Sequence, residues 1–352
     1  MPPTPKAKSN GPITPVKVLP NTQQLCSIRC SPDGKLLAGG TYEASIRRWD
    51  ASTDDYKVLP SIKGHDGWVQ QVVFHPDNKQ LFAVDSFGKL AAWPAAEPEP
   101  KPLWAVADAH DGWIHALALS PDGSTLASAG RDRTVRLSTA ADGKLITKLS
   151  HPEAVMAVAF HPDGKSLVTG DFKGIIRQFD MTSHKQVREF DAKQMHLKYN
   201  IQDVGGVRCF TFDEKGTTLV AGGSVPATGG FVTGTTLILA CDWQTGKTVH
   251  TIKGTGDKDG YVYDMAFHPD GYLMAVSSGQ PGSGRLFFQK LGDPQPLMNQ
   301  LLPNCHSLVL QPSGTRLIVA STNANSSGNG KPKGDEYPGN FTPLHVFDVA
   351  KS

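Results

Sequence analysis

Twelve histidines, five cysteines and a few closely spaced aspartates are the side chains of this 352-residue chain with chemistry to offer. Three of the histidines, His75, His161 and His268, recur in His-Pro-Asp turns, and His65, His110 and His151 each precede a similar apolar stretch. A catalytic base is needed once, at one place. A histidine copied from segment to segment therefore reads as a structural hydrogen-bonding group. The chain has no HExxH, no GxSxG and no phosphate-binding loop, so none of the common hydrolase or nucleotide signatures is present. Asp257, Asp259 and Asp264 in KGTGDKDGYVYD are spaced like the ligands of a calcium loop. The closing glutamate and the flanking helices are missing, and the stretch reads as a flexible connection with no metal expected. Cys26, Cys30, Cys209, Cys241 and Cys305 are odd in number and form no CxxC pair; they read as small apolar strand residues rather than as a disulfide framework or a zinc site. No catalytic residue and no cofactor is expected.

Composition narrows the classes further. The balance of 35 Lys+Arg against 33 Asp+Glu leaves a formal charge of +2, too little to hold nucleic acid or a membrane surface by its field. Lys6, Lys8, Lys331 and Lys333 are scattered and read as solubilising charges. No run approaches the ~20 apolar residues of a membrane span, and MPPTPKAKSNGPITP lacks the apolar stretch of a secretory signal. The default expectation is a cytoplasmic protein.

The elements that must position these residues come from a repeat. The phrases CSPDGKLLAGG, FHPDNKQLFAV, LSPDGSTLASA, FHPDGKSLVTG, FDEKGTTLVAG, FHPDGYLMAVS and LQPSGTRLIVA carry a turn glycine at 34, 123, 164, 216, 271 and 314, with Asn78 in the second copy. The spacings are 44, 45, 41, 52, 55 and 43, a period of roughly 40 to 50 residues that marks a propeller or other array. In WVQQVVFHPD and AVMAVAFHPD near-alternating apolar residues lead into the turn, where Pro presets φ and Gly supplies the positive-φ position. A third strand follows at Ser45–Asp50, Gly88–Trp93, Thr134–Ser138 and Gly174–Asp180, and a fourth at Tyr56–Pro60, Lys144–Leu149 and Lys185–Phe190. Four short antiparallel strands make one blade of an all-β, seven-bladed β-propeller.

On these residues the chain resembles the WD-repeat family, the propellers related to the G-protein β subunit, over about residues 14 to 349. KGHDGWV (63–69) and DAHDGWI (108–114) correspond to the family's Gly-His element, and Trp49-Asp50, Phe179-Asp180 and Phe347-Asp348 to its Trp-Asp ending. The Trp position is held by Ser138, Cys241 and Gln289 in the third, fifth and sixth repeats. The resemblance implies a buried network of His, Ser and Asp, which the third repeat alone carries complete as His110, Ser128 and Asp132. It also implies a protein that binds other proteins.

The string KVLP occurs at 57–60, in an outer strand, and at 17–20. After the seventh repeat's third strand only Val349 to Ser352 remain, so residues 14–20 are expected to supply that blade's outer strand and to close the ring within a domain of residues 14–352. Residues 1–13 read as a flexible tail. Repeats one to four are compact, whereas extra length falls at 191–206, 224–235, 253–260, 278–284 and 321–340. All five are outer-to-inner or second-to-third connections, which emerge on one face. The opposite face gains mainly the Pro-rich connection 94–102, expected to be stiff and exposed. Short turns on the loop-rich face hold Tyr42, Phe87 and Phe172, with Trp68 and Trp113 entering inner strands nearby. Aromatics at such tips are favoured binding anchors. The expected function is a non-catalytic scaffold that takes a protein or peptide there, with Phe231 and Tyr337 as further anchors inside the long loops. The alternative is a propeller enzyme of the lactonase or hydrolase type with its site at the central channel.

Overall fold

The seven repeated turns form as their sequences require. Gly34, Asn78, Gly123, Gly164, Gly216, Gly271 and Gly314 all have φ between 62° and 82°, and each donates its N–H to the carbonyl three residues earlier, as Gly34 does to Ser31 at 2.8 Å. In the computed structural model, which describes residues 12–199, 202–227, 234–254, 256, 258–323 and 340–350, each turn joins the innermost strand of a four-stranded antiparallel sheet to the second. Seven such sheets are present, together with a two-stranded hairpin, His196–Tyr199 with Gln202–Gly205. Each innermost strand packs against those of both neighbouring blades, and the seventh packs against the first. The protein is an all-β, seven-bladed propeller.

The ring closes within blade 7. Ile13–Leu19 lies outermost in that sheet and pairs antiparallel with Leu344–Val349, from Ile13 opposite Val349 to Leu19 opposite Leu344. Ile13 is buried with Phe347 and Val349, and Leu19 with Leu25 and Leu344. The two KVLP strings occupy the same kind of strand in different registers: Lys57 faces Asp50, whereas Lys17 faces Val346, two residues short of the corresponding Asp348. Residues 1–11 lie outside the described residues.

The Trp-Asp position is structurally constant even where its residue type is not. Trp49, Trp93, Ser138, Phe179, Cys241, Gln289 and Phe347 each stand opposite a leucine of the second strand. The aromatic members fill the gap towards the preceding blade. Two of the exceptions are repaired from elsewhere. Trp104, on blade 2's outer strand, covers the gap towards blade 3 and donates its indole N–H to Ala140 O at 3.0 Å. Trp243, two residues beyond Cys241, stacks on His161 and Phe190 at 4.6 and 5.9 Å.

Two of the His-Pro-Asp histidines tie blades together on the face away from the long loops. His161 Nε2 donates to Gly216 O at 2.9 Å and His268 Nε2 to Gly314 O at 2.8 Å, the turn glycines of the next blades. On the same face Arg48, buried at 1% exposure, donates to the carbonyls of Pro60, Ala95 and Pro98. It thereby pins the Pro-rich connection 94–102, most of which is exposed as expected.

On the loop face, buried polar networks hold the turns. His110 Nδ1 meets Asp132 Oδ1 at 3.0 Å and Nε2 meets Ser128 Oγ at 2.8 Å, while Asp132 Oδ2 accepts the Asp111 N–H. Blade 2 reaches the same end with Asp85, placed two residues earlier in the repeat: Oδ2 meets His65 Nδ1 at 3.0 Å and accepts the Asp66 N–H, and Oδ1 accepts the N–H groups of Phe87 and Lys89. Burial alone would raise the Asp85 pKa; these hydrogen bonds outweigh it and hold the carboxyl down to about 2. The Ser128 position is Ala83 in blade 2, and His65 Nε2 is left without a partner. In blade 4, His151 meets Thr169 Oγ1 at 2.9 Å, and Asp171 is paired with Arg177 at 2.6 Å.

Two stretches expected to be loops contain regular structure. Residues 193–195 form a 3₁₀ turn whose Met195 is buried in the blade 5 core, and the hairpin 196–205 follows. Parts of 224–235 extend the second and third strands of blade 5 to nine residues each, Thr218–Pro226 and Gly234–Asp242. The β-branched run after Gly234 favours this continuation.

Deleting residues 1–20 is expected to lower the melting temperature of the whole ring, while deleting 1–11 leaves it nearly unchanged; equal melting curves would contradict closure by Ile13–Leu19. Asp132→Ala is expected to cost about 1–3 kcal/mol in a denaturant titration, because it strands His110 and the Asp111 N–H. Lys173→Ala at the equivalent turn position, where the ammonium makes only a surface pair with Glu153, should cost little. Ala83→Ser is expected to stabilise the fold by about 1 kcal/mol by giving His65 Nε2 the partner that Ser128 gives His110; a lower denaturation midpoint would show that the hydroxyl does not reach it.

Candidate functional site

Each innermost strand starts with the same irregularity. In blades 1, 2, 3, 4, 6 and 7 the pairing with the second strand skips one residue: Cys26, Gln70, His115, Met156, Tyr263 and His306. Blade 5 has Arg208 at this place, its N–H donating to Gly222 O at 2.8 Å. A bulged residue leaves the ladder and turns its side chain away from the sheet. All seven line one cavity on the propeller axis, so the channel mouth is a ring of seven side chains, one per blade and six of them at bulges. The doubled polar residues Gln70-Gln71 interrupt the alternation of WVQQVVF and are the sequence signal for this arrangement, which the repeat pattern alone does not bring out.

Below the mouth, Arg29 of blade 1 pairs with Asp264 of blade 6 at 2.8 Å, and Asp264 Oδ2 also accepts the Ser307 hydroxyl and the Leu308 N–H of blade 7. Arg208 lies over the Tyr261 ring at 4.7 Å. Burial, reinforced by the positive charges of Arg208 and Arg131, pushes the His115 pKa down to about 4, so this imidazole is neutral at physiological pH. Burial likewise lowers that of His306, whose Nδ1 lies 3.1 Å from Asn304 O.

From this ring an aromatic row runs outward over blades 3, 2 and 1. His115 stacks on Trp113 at 5.6 Å, Trp113 meets Trp68 edge-on at 5.5 Å, and Trp68 meets Tyr42 at 4.9 Å. Phe87 lies beside Gly67, where an added Cβ would come within 3.1 Å of its ring, and together with Trp68, Trp113 and Tyr42 it lines one apolar depression. These side chains are held by the networks described above. The carboxylates of Asp85 and Asp132 fix the His-Asp-Gly-Trp loops that carry Trp68 and Trp113, and Asp85 also holds the turn that carries Phe87. Even so, Tyr42, Trp68 and Phe87 remain 37%, 43% and 66% exposed.

The structure thus brings together Tyr42, Trp68, Phe87 and Trp113. Phe172 stands apart: it is half-buried, with His196 of the blade 5 hairpin as its ring neighbour at 6.2 Å. It leans on the adjacent insertion instead of joining a patch with Tyr42 and Phe87. Phe231 and Tyr337 lie outside the described residues, as do Lys6, Lys8, Lys331 and Lys333. His110, Ser128 and Asp132 are spent on one another beneath the surface. Of the spaced aspartates, Asp259 pairs with Arg285 at 2.7 Å and Asp264 with Arg29, and Asp257 is outside the described residues. Among the described residues no cluster of His, Cys, Asp and Glu suited to a metal ion occurs, and no helix is long and apolar enough to cross a membrane.

A family model described as WD domain, G-beta repeat matches residues 13–50, 56–88, 102–137, 143–180 and 246–286. The two long unmatched stretches, 181–245 and 287–352, hold the inserted connections 191–206, 224–235 and 321–340 and the altered Trp positions Cys241 and Gln289. Among curated proteins the chain is similar to pre-mRNA-processing factor 19 of Caenorhabditis elegans, 25% identical over 161 residues that cover 45% of this chain and 32% of that protein. It is similar to nuclear distribution protein PAC1 of Arthroderma benhamiae, 27% identical over 169 residues, 42% of this chain and 36% of that protein. Telomerase protein component 1 of Rattus norvegicus is 26% identical over 309 residues, 86% of this chain but 10% of that protein. The aligned region thus spans about a third of the length of the first two relatives. With five matched repeats covering more than half of its length, set in seven four-stranded blades around one axis, the chain belongs to the WD domain, G-beta repeat family.

Proposed function

We propose that the protein is a non-catalytic interaction platform that takes a protein or peptide segment on its loop face, over blades 1 to 3 and towards the channel mouth. The observation that carries this reading is the exposed row Tyr42, Trp68 and Phe87, fixed from below by buried carboxylate networks and continuous through Trp113 with the channel ring. Rigid aromatic side chains held at a surface lose little entropy on binding and supply large contact areas. The connections in blades 5 to 7 would border the same face and add contacts, with Phe231 and Tyr337 as further anchors. On this reading residues 14–352 act as one propeller, in the cytoplasm, where its five free cysteines would stay reduced.

The names of these relatives refer to pre-mRNA processing, nuclear distribution and telomerase, and this diversity fits a common binding frame serving different partners. The competing reading, a lactonase- or hydrolase-type propeller, would route chemistry through the channel. The channel carboxylate Asp264 is taken up by Arg29, Ser307 and the Leu308 N–H, an arrangement suited to bracing blades 1, 6 and 7.

The test is capture of binding proteins from lysate by three forms of the chain. The double variant Trp68→Ala, Phe87→Ser is expected to lose the partners held by the unaltered protein while keeping its melting temperature. Replacing residues 96–101 on the opposite face by a short Gly-Asn turn should retain them. If the first variant still captures the same proteins and the second does not, the functional face is the other one.

A further inference from the structure

One of the gaps between blades is filled incompletely. Aromatic side chains occupy the gaps between blades 7 and 1, 1 and 2, 3 and 4, and 6 and 7, and Trp104 and Trp243 repair those between 2 and 3 and between 4 and 5. Between blades 5 and 6 the position belongs to Gln289, which is 4% exposed and turned towards its own loop, its amide donating to the carbonyls of Lys290, Asp293 and Gln295. Phe287 and Leu291, two residues to either side, pack against Val220, Ile238 and Ala240 of blade 5 but fill the gap only in part. A cavity of 290 Å³ remains, walled by Ile238 and Ile252 of blade 5 and Phe287 of blade 6. An apolar cavity of about 150 Å³ already accommodates a benzene ring.

One wall of this cavity is polar, and one group there is unsatisfied. Ser277 is fully buried and its hydroxyl has no hydrogen-bond partner, which is costly unless something else supplies one. Beside it the Arg285 guanidinium is balanced by Asp259 at 2.7 Å and also bonded to Asn299 Oδ1. The Arg285 charge is therefore already balanced within the protein, and the other charged residues of the lining, Lys253 and Asp293, are of opposite sign, which favours an uncharged ligand over an anion.

We propose that the gap between blades 5 and 6 is a binding site for a small uncharged molecule with one flat ring and a carbonyl-type acceptor, the ring taking the space of the missing aromatic and the acceptor meeting the Ser277 hydroxyl. The site is separate from the aromatic row of blades 1 to 3 and does not depend on the loop-face reading.

Benzamide and toluene serve as probes, one with and one without the acceptor, titrated into the full chain and followed by ligand-observed NMR and by melting temperature. Both are expected to bind, benzamide the more tightly. Ser277→Ala should weaken benzamide about five- to tenfold and leave toluene unchanged. Gln289→Trp, which restores the type of residue found in blades 1 and 2, should abolish binding of both and raise the melting temperature. Thr251→Trp plugs the cavity from its exposed wall and gives the same answer should Gln289→Trp fail to fold. Absence of binding by either probe, undiminished binding to a folded plugged variant, or an equal loss of both probes in Ser277→Ala would overturn the proposal.

Discussion

A four-stranded blade has two faces to bury and no neighbour of its own to bury them against, so everything here depends on the ring being closed. The pairing of Ile13–Leu19 with Leu344–Val349 meets that constraint by joining the two described ends of the chain within one sheet. It removes an edge that would otherwise be open to pairing with other chains, and it gives blades 1 and 6 a complete partner in blade 7. Hydrogen bonds between segments far apart in sequence reinforce the seam: Leu25 N–H to Thr342 Oγ1, Thr342 N–H to Gln23 O, and Ala350 N–H to Pro12 O. Arg29, Asp264 and Ser307 cross the same seam from inside the channel.

Within a closed ring, individual blades can lose consensus residues as long as the geometry is met by other means. Blade 2 shifts its network carboxylate by two residues, from the turn to the end of the strand, and Asp85 still binds both the histidine and the following backbone N–H. Blade 4 keeps a histidine–hydroxyl contact through Thr169 and gives Asp171 to Arg177. The absent tryptophans of blades 3 and 5 are replaced from a neighbouring outer strand and from two residues downstream. What the repeat conserves is an occupied volume and a satisfied polar group, and the residue that provides each is free to move.

This explains how much was legible in the sequence. The Pro-Asp-Gly turns, the strand order and the closing strand follow from spacing and alternation, because the same physical demand is written seven times. Tyr42, Trp68, Phe87 and Trp113 could be singled out because they stand in short turns and in the residues next to inner strands. Their assembly into one row could not, since it depends on the rotation between blades. Phe172 stands in the same kind of turn as Phe87 but one place earlier, after Asp171 as Ser86 follows Asp85, and it meets the blade 5 hairpin, a tertiary neighbour that no local pattern records. The bulge ring was hidden for a related reason: a single skipped pairing leaves only a faint break in alternation, and its residue types, from Cys26 to Arg208, share nothing but their place.

In six blades the bulged residue sits outside its ladder, so replacing its side chain leaves the sheet's hydrogen bonds in place. The mouth of the channel is then a circle of seven side chains, some of them touching a neighbouring blade, as Gln70 touches Cys26 Sγ and Arg208 the Tyr261 ring. A lineage of such proteins can rewrite the chemistry of the opening one position at a time while the body of the propeller stays under a separate, stricter selection. Cys26, Gln70, His115, Met156, Arg208, Tyr263 and His306 would be one word in that seven-letter alphabet, and the recognition properties of a relative would be sought first in the letters it has changed.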